Sequence, residues 1–243
     1  MKNKTLWKQV GAAAIAAAMV MSTVPATPVQ AAGGKTLAVS SQKQLNQALK
    51  TVKGKNAVIT VKAGKNVKIT IPKGTYKVTI RVVGKKAAVV NNGTVKEIVV
   101  NSKGTVAIKN NGTIKKVTVQ NAKSVSFSGN HKKAVPVVVN AEDVSMILAA
   151  PAKITAKKDV NIVLKKGAEK SSITCTKNAQ AQVDNQTKKA ISVKIADGTT
   201  LKVESGESCT ITPKGKKEDT SGEDKTDGKD QKTDDTSDGN ASS

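Results

Sequence analysis

Lysines recur on a fixed beat in the middle of this 243-residue chain. Gly74-Thr75-Tyr76-Lys77, Gly93-Thr94-Val95-Lys96 and Gly112-Thr113-Ile114-Lys115 stand nineteen residues apart, so Lys77, Lys96 and Lys115 occupy equivalent places. A regularly spaced ammonium group holds negative charge as a point cation, without the planar fork that lets arginine fix an orientation. Residues able to catalyse are scarcer. The acids of the body are scattered singly except for Glu142-Asp143, and neighbours on a strand face opposite ways. Two-carboxylate chemistry needs side chains converging at roughly 5 to 9 Å, which here could come only from a pair such as Asp143 and Asp159 on neighbouring turns. His131 is the only histidine and reads as a turn residue beside Lys132 and Lys133, which leaves no triad and no histidine-based zinc site. The residues therefore predict no enzyme, no metal and no cofactor.

Cys175 and Cys209 are the only cysteines. Each shares a strand face with an isoleucine (Ile173 and Ile211), so both thiols should point inward. A disulfide needs Cα atoms within about 7 Å, a distance met by adjacent turns only if a loop such as 177–189 is set aside. The alternatives are one disulfide or two buried thiols.

The beat that spaces the lysines also spaces the apolar residues. Val106-Ala107-Ile108, Val125-Ser126-Phe127 and Val144-Ser145-Met146 are nineteen apart, and Asn101, Asn121 and Asn140 nearly so. Short runs of Val, Ile and Thr punctuated by Gly and Asn are strand-like, and a constant period of about 20 residues is the mark of a coiled stack. The expected fold is all-β: a parallel β-helix with 19–20 residues per turn, in which Asn101, Asn121 and Asn140 form an internal amide ladder. An antiparallel sandwich is the rival, since Asn-Gly also marks hairpins, but a sandwich has no reason to repeat an asparagine every turn. One helix is expected near the start. Ser41-Gln42-Lys43-Gln44 has the form of a capping box, Leu45, Ala48, Leu49 and Val52 follow at helical spacing, and Gly54 ends it. Its apolar face would cover the open first turn of the stack.

The two ends differ from this body. Lys2, Lys4 and Lys8 precede twelve apolar residues, 10–21, and a small-residue region with Val29-Gln30-Ala31. Twelve residues are too few to span a hydrocarbon core of about 30 Å, so residues 1–31 read as a secretory signal rather than an anchor. The solenoid domain is assigned to 32–215. Residues 216–243, rich in Asp, Ser, Thr, Gly and Lys without Val, Ile, Leu or an aromatic, are assigned as a disordered acidic and polar tail. The formal net charge of the chain is +23, and Glu97 is the only acid between Gly33 and Ala141. Such a field attracts polyanions and is screened within about 10 Å at 0.1 M salt. Beyond residue 31 the aromatics are Tyr76 and Phe127 alone, which argues against stacking sites for sugars or unpaired bases.

Leu37-Ala38-Val39-Ser40-Ser41, the phrase Gln44-Leu45-Asn46-Gln47-Ala48-Leu49, and Ala57-Val58-Ile59-Thr60-Val61 with Gly64 resemble the opening of the pectin-lyase-like right-handed parallel β-helix superfamily. The resemblance implies a secreted solenoid; it does not imply an activity, because that superfamily includes lyases, hydrolases, adhesins and non-catalytic surface proteins. Its lyases carry an aspartate cluster for calcium with an arginine or lysine base, and its hydrolases carry aspartates grouped on one face. This chain departs from both, with Arg81 as its only arginine. The expected function is that of a secreted or cell-surface, non-catalytic solenoid. Its expected partner is an anionic polysaccharide or cell-wall polymer, with non-specific nucleic acid behind it and no membrane span. The alternative is a lyase or hydrolase acting on an acidic polysaccharide.

Overall fold

The structure, a computed structural model, describes residues 35–62, 66–213 and 217–219. The assigned secretory signal, and the tail beyond 219, lie outside the described residues. In chain order the elements are β1 (Lys35–Val39), α1 (Gln42–Thr51), β2 (Ala57–Val61), β3 (Val67–Ile71), β4 (Val78–Val82), β5 (Lys86–Asn91) and β6 (Thr94–Val95). Then come β7 (Glu97–Asn101), β8 (Thr105–Asn110), β9 (Thr113–Ile114), β10 (Val117–Asn121), β11 (Ser124–Ser128), β12 (Val135–Val139), β13 (Val144–Ala149) and β14 (Ala152–Ala156). The last are β15 (Val160–Leu164), β16 (Ser172–Cys175), β17 (Ala181–Asn185), β18 (Ile191–Lys194), β19 (Thr200–Val203), β20 (Ser208–Ile211) and β21 (Lys217–Asp219).

Strands alternate between two large sheets, ordered β1-β2-β4-β7-β10-β12-β14-β16-β18-β19 and β21-β20-β17-β15-β13-β11-β8-β5-β3, and β6 pairs with β9 at a corner. Sequence neighbours thus fall in different sheets while residues about one period apart pair, which is the expected parallel solenoid, here of about eight turns. Pairing is parallel throughout the middle. It turns antiparallel only at the end, in β18–β19, β17–β20 and β20–β21. The last of these pairs places Lys217–Asp219 on β20, beyond the domain boundary read at 215.

Alternation within each strand builds the core. In β2 (AVITV) and β4 (VTIRV) every second residue is buried. Ile59, Ile80, Ile98 and Val117 follow one another through the first sheet, and Ile69, Val89, Ile108 and Phe127 through the second. Each fully buried side chain of this size contributes about 1.5–3 kcal/mol relative to exposure. The period itself breathes. Ile98 opposes Val117 at an offset of 19, but Val117 opposes Val137 at 20 and Val137 opposes Ile154 at 17. As a result Val125 opposes Met146, not Val144. One extra residue is taken up at the corner 129–134 and another at 140–143. A slip of two leaves every side chain on its original face, so the core tolerates it.

The open first turn is closed by α1. Ser41 caps it, accepting from Gln44 N, and Gln44 Oε1 accepts in return from Ser40 N at 2.7 Å. Leu45, Ala48 and Leu49 are buried. Gln42 also treats the edge of β3 as a strand would: its Nε2 donates to Thr70 O at 2.8 Å and its Oε1 accepts from Thr70 N at 2.7 Å.

The asparagine ladder exists, but not where the sequence places it. Asn121 and Asn140 are exposed and Asn101 is half-buried. Asn101 and Asn121 are register partners only across an irregularity after Val119. Asn101 and Asn121 end β7 and β10 and Asn140 follows the end of β12, all where the chain leaves the sheet, and none is among the buried residues. The internal pair is Asn91 and Asn110, both fully buried. Asn91 Nδ2 donates to Asn110 Oδ1 at 2.8 Å and to Gly93 O at 2.9 Å, while Asn91 Oδ1 accepts from Gly93 N. The ladder ends after two rungs because Gly129 follows Ser128, the partner of Lys109. A Cβ there would run into the Asn110 backbone, and Asn110 Nδ2 has no hydrogen-bond partner.

The two cysteines are not joined. Cys175 lies in β16 of one sheet and Cys209 in β20 of the other, each pointing into the core. Cys209 belongs to a strand that runs back antiparallel to β17 rather than to a further coil, so the adjacent-turn geometry that a bond requires does not arise.

Replacing Asn91 with Leu should strand Gly93 N–H, at roughly 1–3 kcal/mol for a buried unsatisfied group, while Gly93 O keeps Thr113 N and Asn110 Oδ1 keeps Gly112 N. We expect a loss of about 1–3 kcal/mol in urea unfolding, whereas Asn121→Leu should stay within about 0.5 kcal/mol. A similar response at both positions would contradict the placement of the ladder. Burial pushes the Cys175 thiol up from 9.0 to about 11, so the folded chain holds that proton more tightly than the unfolded chain. The stability this contributes is complete below about pH 9 and is lost as pH rises towards 11. Stability measured across that window should fall less steeply for Cys175→Ala than for the parent.

Candidate basic face and acidic depression

The Gly-Thr-x-Lys phrases form a corner of the coil. Thr75 bridges Thr94 in parallel, and Thr94-Val95 of β6 pairs with Thr113-Ile114 of β9. Backbone bonds tie the turns: Thr94 N to Gly74 O (2.7 Å), Thr113 N to Gly93 O (2.8 Å) and Lys115 N to Val95 O (3.2 Å). The glycine that opens each phrase permits this approach, since a Cβ on Gly93 would stand 2.8 Å from Gly74 O. Val95 and Ile114 are buried, and alternation turns the lysine that follows each of them outward.

The structure accordingly places Lys96 and Lys115 in register on successive turns, with Lys77 one turn earlier at the same corner but one residue out of step, since Val78 faces Lys96; all three are exposed. Among the described residues none of the three is in an ion pair. The nearest acid along the chain, Glu97, is engaged by Lys116 at 3.7 Å and by Thr118 Oγ1 at 2.6 Å. The column stops after Lys115. In the next turn Asn130 N bonds Asn110 O, and His131 follows where Gly112 stands one turn before. His131 fastens turns rather than facing solvent: its ring nitrogens lie 3.2 Å from Asn110 O and 2.9 Å from Pro151 O, and its ring meets Phe127 edge-on at 5.2 Å.

A second basic corner was not read from the sequence. Lys62, Lys85, Lys103 and Lys123 are exposed at the opposite turn of the coil, with Thr105 N bonding Lys85 O and Lys123 N bonding Gly104 O. Their spacing is uneven because the turn length varies, so a search at a fixed interval misses them.

The structure does bring Asp143 and Asp159 together. Asp143, at φ 51°, donates its backbone N–H to Asp159 O at 3.0 Å, and Asp159 Oδ1 accepts from Gln180 N at 2.8 Å. With Asn161, Gln180, Gln182 and Thr210 they line a depression of about 170 Å³. Asp159 is thus already engaged by a backbone N–H. Glu142, next to Asp143, is instead paired with Lys158 at 2.7 Å, a contact that holds its carboxyl below the usual range. Among the described residues no three of His, Cys, Asp and Glu are grouped to hold a metal, and no helix is long and apolar enough to cross a membrane. Comparison of the chain with protein-family models, with curated proteins and with solved structures finds no match.

Proposed function

We propose that this protein is a secreted, non-catalytic β-solenoid that binds anionic polymers, acidic glycan or cell-wall polymer, along the corner bearing Lys77, Lys96 and Lys115. The observation that carries this reading is one corner bearing three exposed lysines, Lys96 and Lys115 in register on strands about 4.8 Å apart and Lys77 on the turn before, with none of the three in an ion pair among the described residues. Two unit charges at that distance repel by about 1 kcal/mol even in bulk water. A polyanion laid along the column turns that repulsion into attraction. The likeness to pectin-lyase-like solenoids is consistent with it, through the coil and the helix that opens it.

A lyase or hydrolase for acidic polysaccharide is the second reading, and the meeting of Asp143 and Asp159 in one depression favours it. Its weakness is that Asp159 already accepts from Gln180 N and that no arginine lies nearby.

On immobilised polygalacturonate, binding should weaken steeply between 50 and 300 mM salt, because each cation–anion contact releases counterions. Lys77→Ser, Lys96→Ser and Lys115→Ser combined should lower both affinity and salt slope. A chain ending at residue 219 should bind more tightly, its acidic tail no longer competing for the face. Salt-insensitive binding, or none by any form, would leave the lysines as solubilising groups. The same protein should release no unsaturated or reducing ends from polygalacturonate, with or without calcium. Turnover that Asp143→Asn or Asp159→Asn abolishes would establish the second reading.

A further inference from the structure

A cleft of about 670 Å³ opens at the head of the lysine column. It is bounded by Lys35 of β1, by Thr51, Gly54, Lys55 and Asn56 at and after the end of α1, and by Lys77. Lys35 opposes Ala57 and Ala57 opposes Val78, so Asn56 and Lys77 hold equivalent places on adjacent turns, with Lys55 beside Asn56. Three exposed lysines thus converge from three separate segments, and no acid stands between Gly33 and Lys96. Two of the carbonyls at the end of α1, which would oppose an anion, are engaged, Ala48 O by Val52 N and Lys50 O by Lys53 N, as is Val52 O just beyond the helix by Lys55 N. Gly54, at φ +74°, leaves the wall open, as a Cβ there would meet nothing within 4 Å.

We propose that this cleft binds the phosphomonoester end of an anionic chain and so sets the direction in which the polymer lies along the column. The inference rests on the reading of the column as a polyanion track. A phosphomonoester carries about −1.5 to −2 at neutral pH, whereas an internal diester or a carboxylate carries a single charge. One lysine per turn matches the single charges of a chain interior. Three lysines in one cleft match the doubly charged end. Lysine suits this role because it meets phosphate as a point charge from any direction.

The test uses the full chain with a short thymidylate oligonucleotide as the probe polymer, carrying or lacking a terminal phosphate, and inorganic pyrophosphate as the free anion. At low salt the phosphorylated oligonucleotide should bind about tenfold more tightly than the other, a difference of about 1.4 kcal/mol. Lys35→Ser with Lys55→Ser should erase that preference while leaving the affinity for the unphosphorylated probe. Lys96→Ser with Lys115→Ser should weaken both probes and keep the preference. Equal binding of the two probes by the parent chain, or a preference that survives Lys35→Ser with Lys55→Ser, would overturn the cleft and leave the track standing. Affinity for both probes unchanged by Lys96→Ser with Lys115→Ser would instead sink the track. Pyrophosphate that displaces the phosphorylated oligonucleotide at equal concentration would assign the cleft to a free anion and overturn the chain-end proposal.

Discussion

Parallel strands hydrogen-bonded about 4.8 Å apart convert every repetition in this chain into a column. Ile59, Ile80, Ile98 and Val117 become one continuous seam of core because each is the register partner of the next. The same geometry stacks Asn91 on Asn110 inside the coil and lines up Lys96 with Lys115 outside it, one turn beyond Lys77. It acts without regard to whether the repeated group gains or loses by proximity. Apolar side chains gain from it, buried amides gain if each finds its partner, and ammonium groups lose. The column of cations is therefore the part of the coil whose energy an outside partner can improve most.

A stack held by backbone bonds between turns leaves unpaired groups at both ends, and the two ends here are closed by different means. At the start, α1 lays Leu45, Ala48 and Leu49 over the first turn, and the Gln42 amide bonds both polar groups of Thr70. At the finish, the chain folds back in β19 and β20, whose antiparallel pairing ends the coil. Both devices meet the requirement that a sheet edge be covered or paired if it is not to recruit another chain.

Charge follows a separate logic from packing. The interior is apolar save for Asn91, Asn110, Asn185 and a few hydroxyls, and the lysines occupy corners and outward positions where their ammonium groups keep their water. Glu97 is held by Lys116 and Thr118 rather than standing in the lysine column. The acids collect towards the later turns, where Asp143 and Asp159 share a depression. The coil is thus most strongly basic where α1 begins it and mixed in sign where the chain folds back.

What the residues determined by themselves is the local grammar. Alternating Val, Ile and Thr between Gly and Asn specified strands, a near-constant interval specified a stack, and Ser41 with Gln44 specified the start of the helix. The lysine column was legible for the same reason, since Gly-Thr-x-Lys repeats with strict spacing where the corner strands β6 and β9 stack. Tertiary structure decided what depends on how far each corner reaches. Offsets of 16 to 22 between parallel partners moved Val144 out of register with Val125, and a corner set Asn121 and Asn140 outside while Asn91 and Asn110 went within. It also placed Cys175 and Cys209 on different sheets, gathered Asp143 with Asp159, and joined Lys35, Lys55 and Lys77 around one cleft. A period-two strand keeps its buried face under any even slip, so the apolar pattern constrains which side a residue faces far more tightly than which residue it meets.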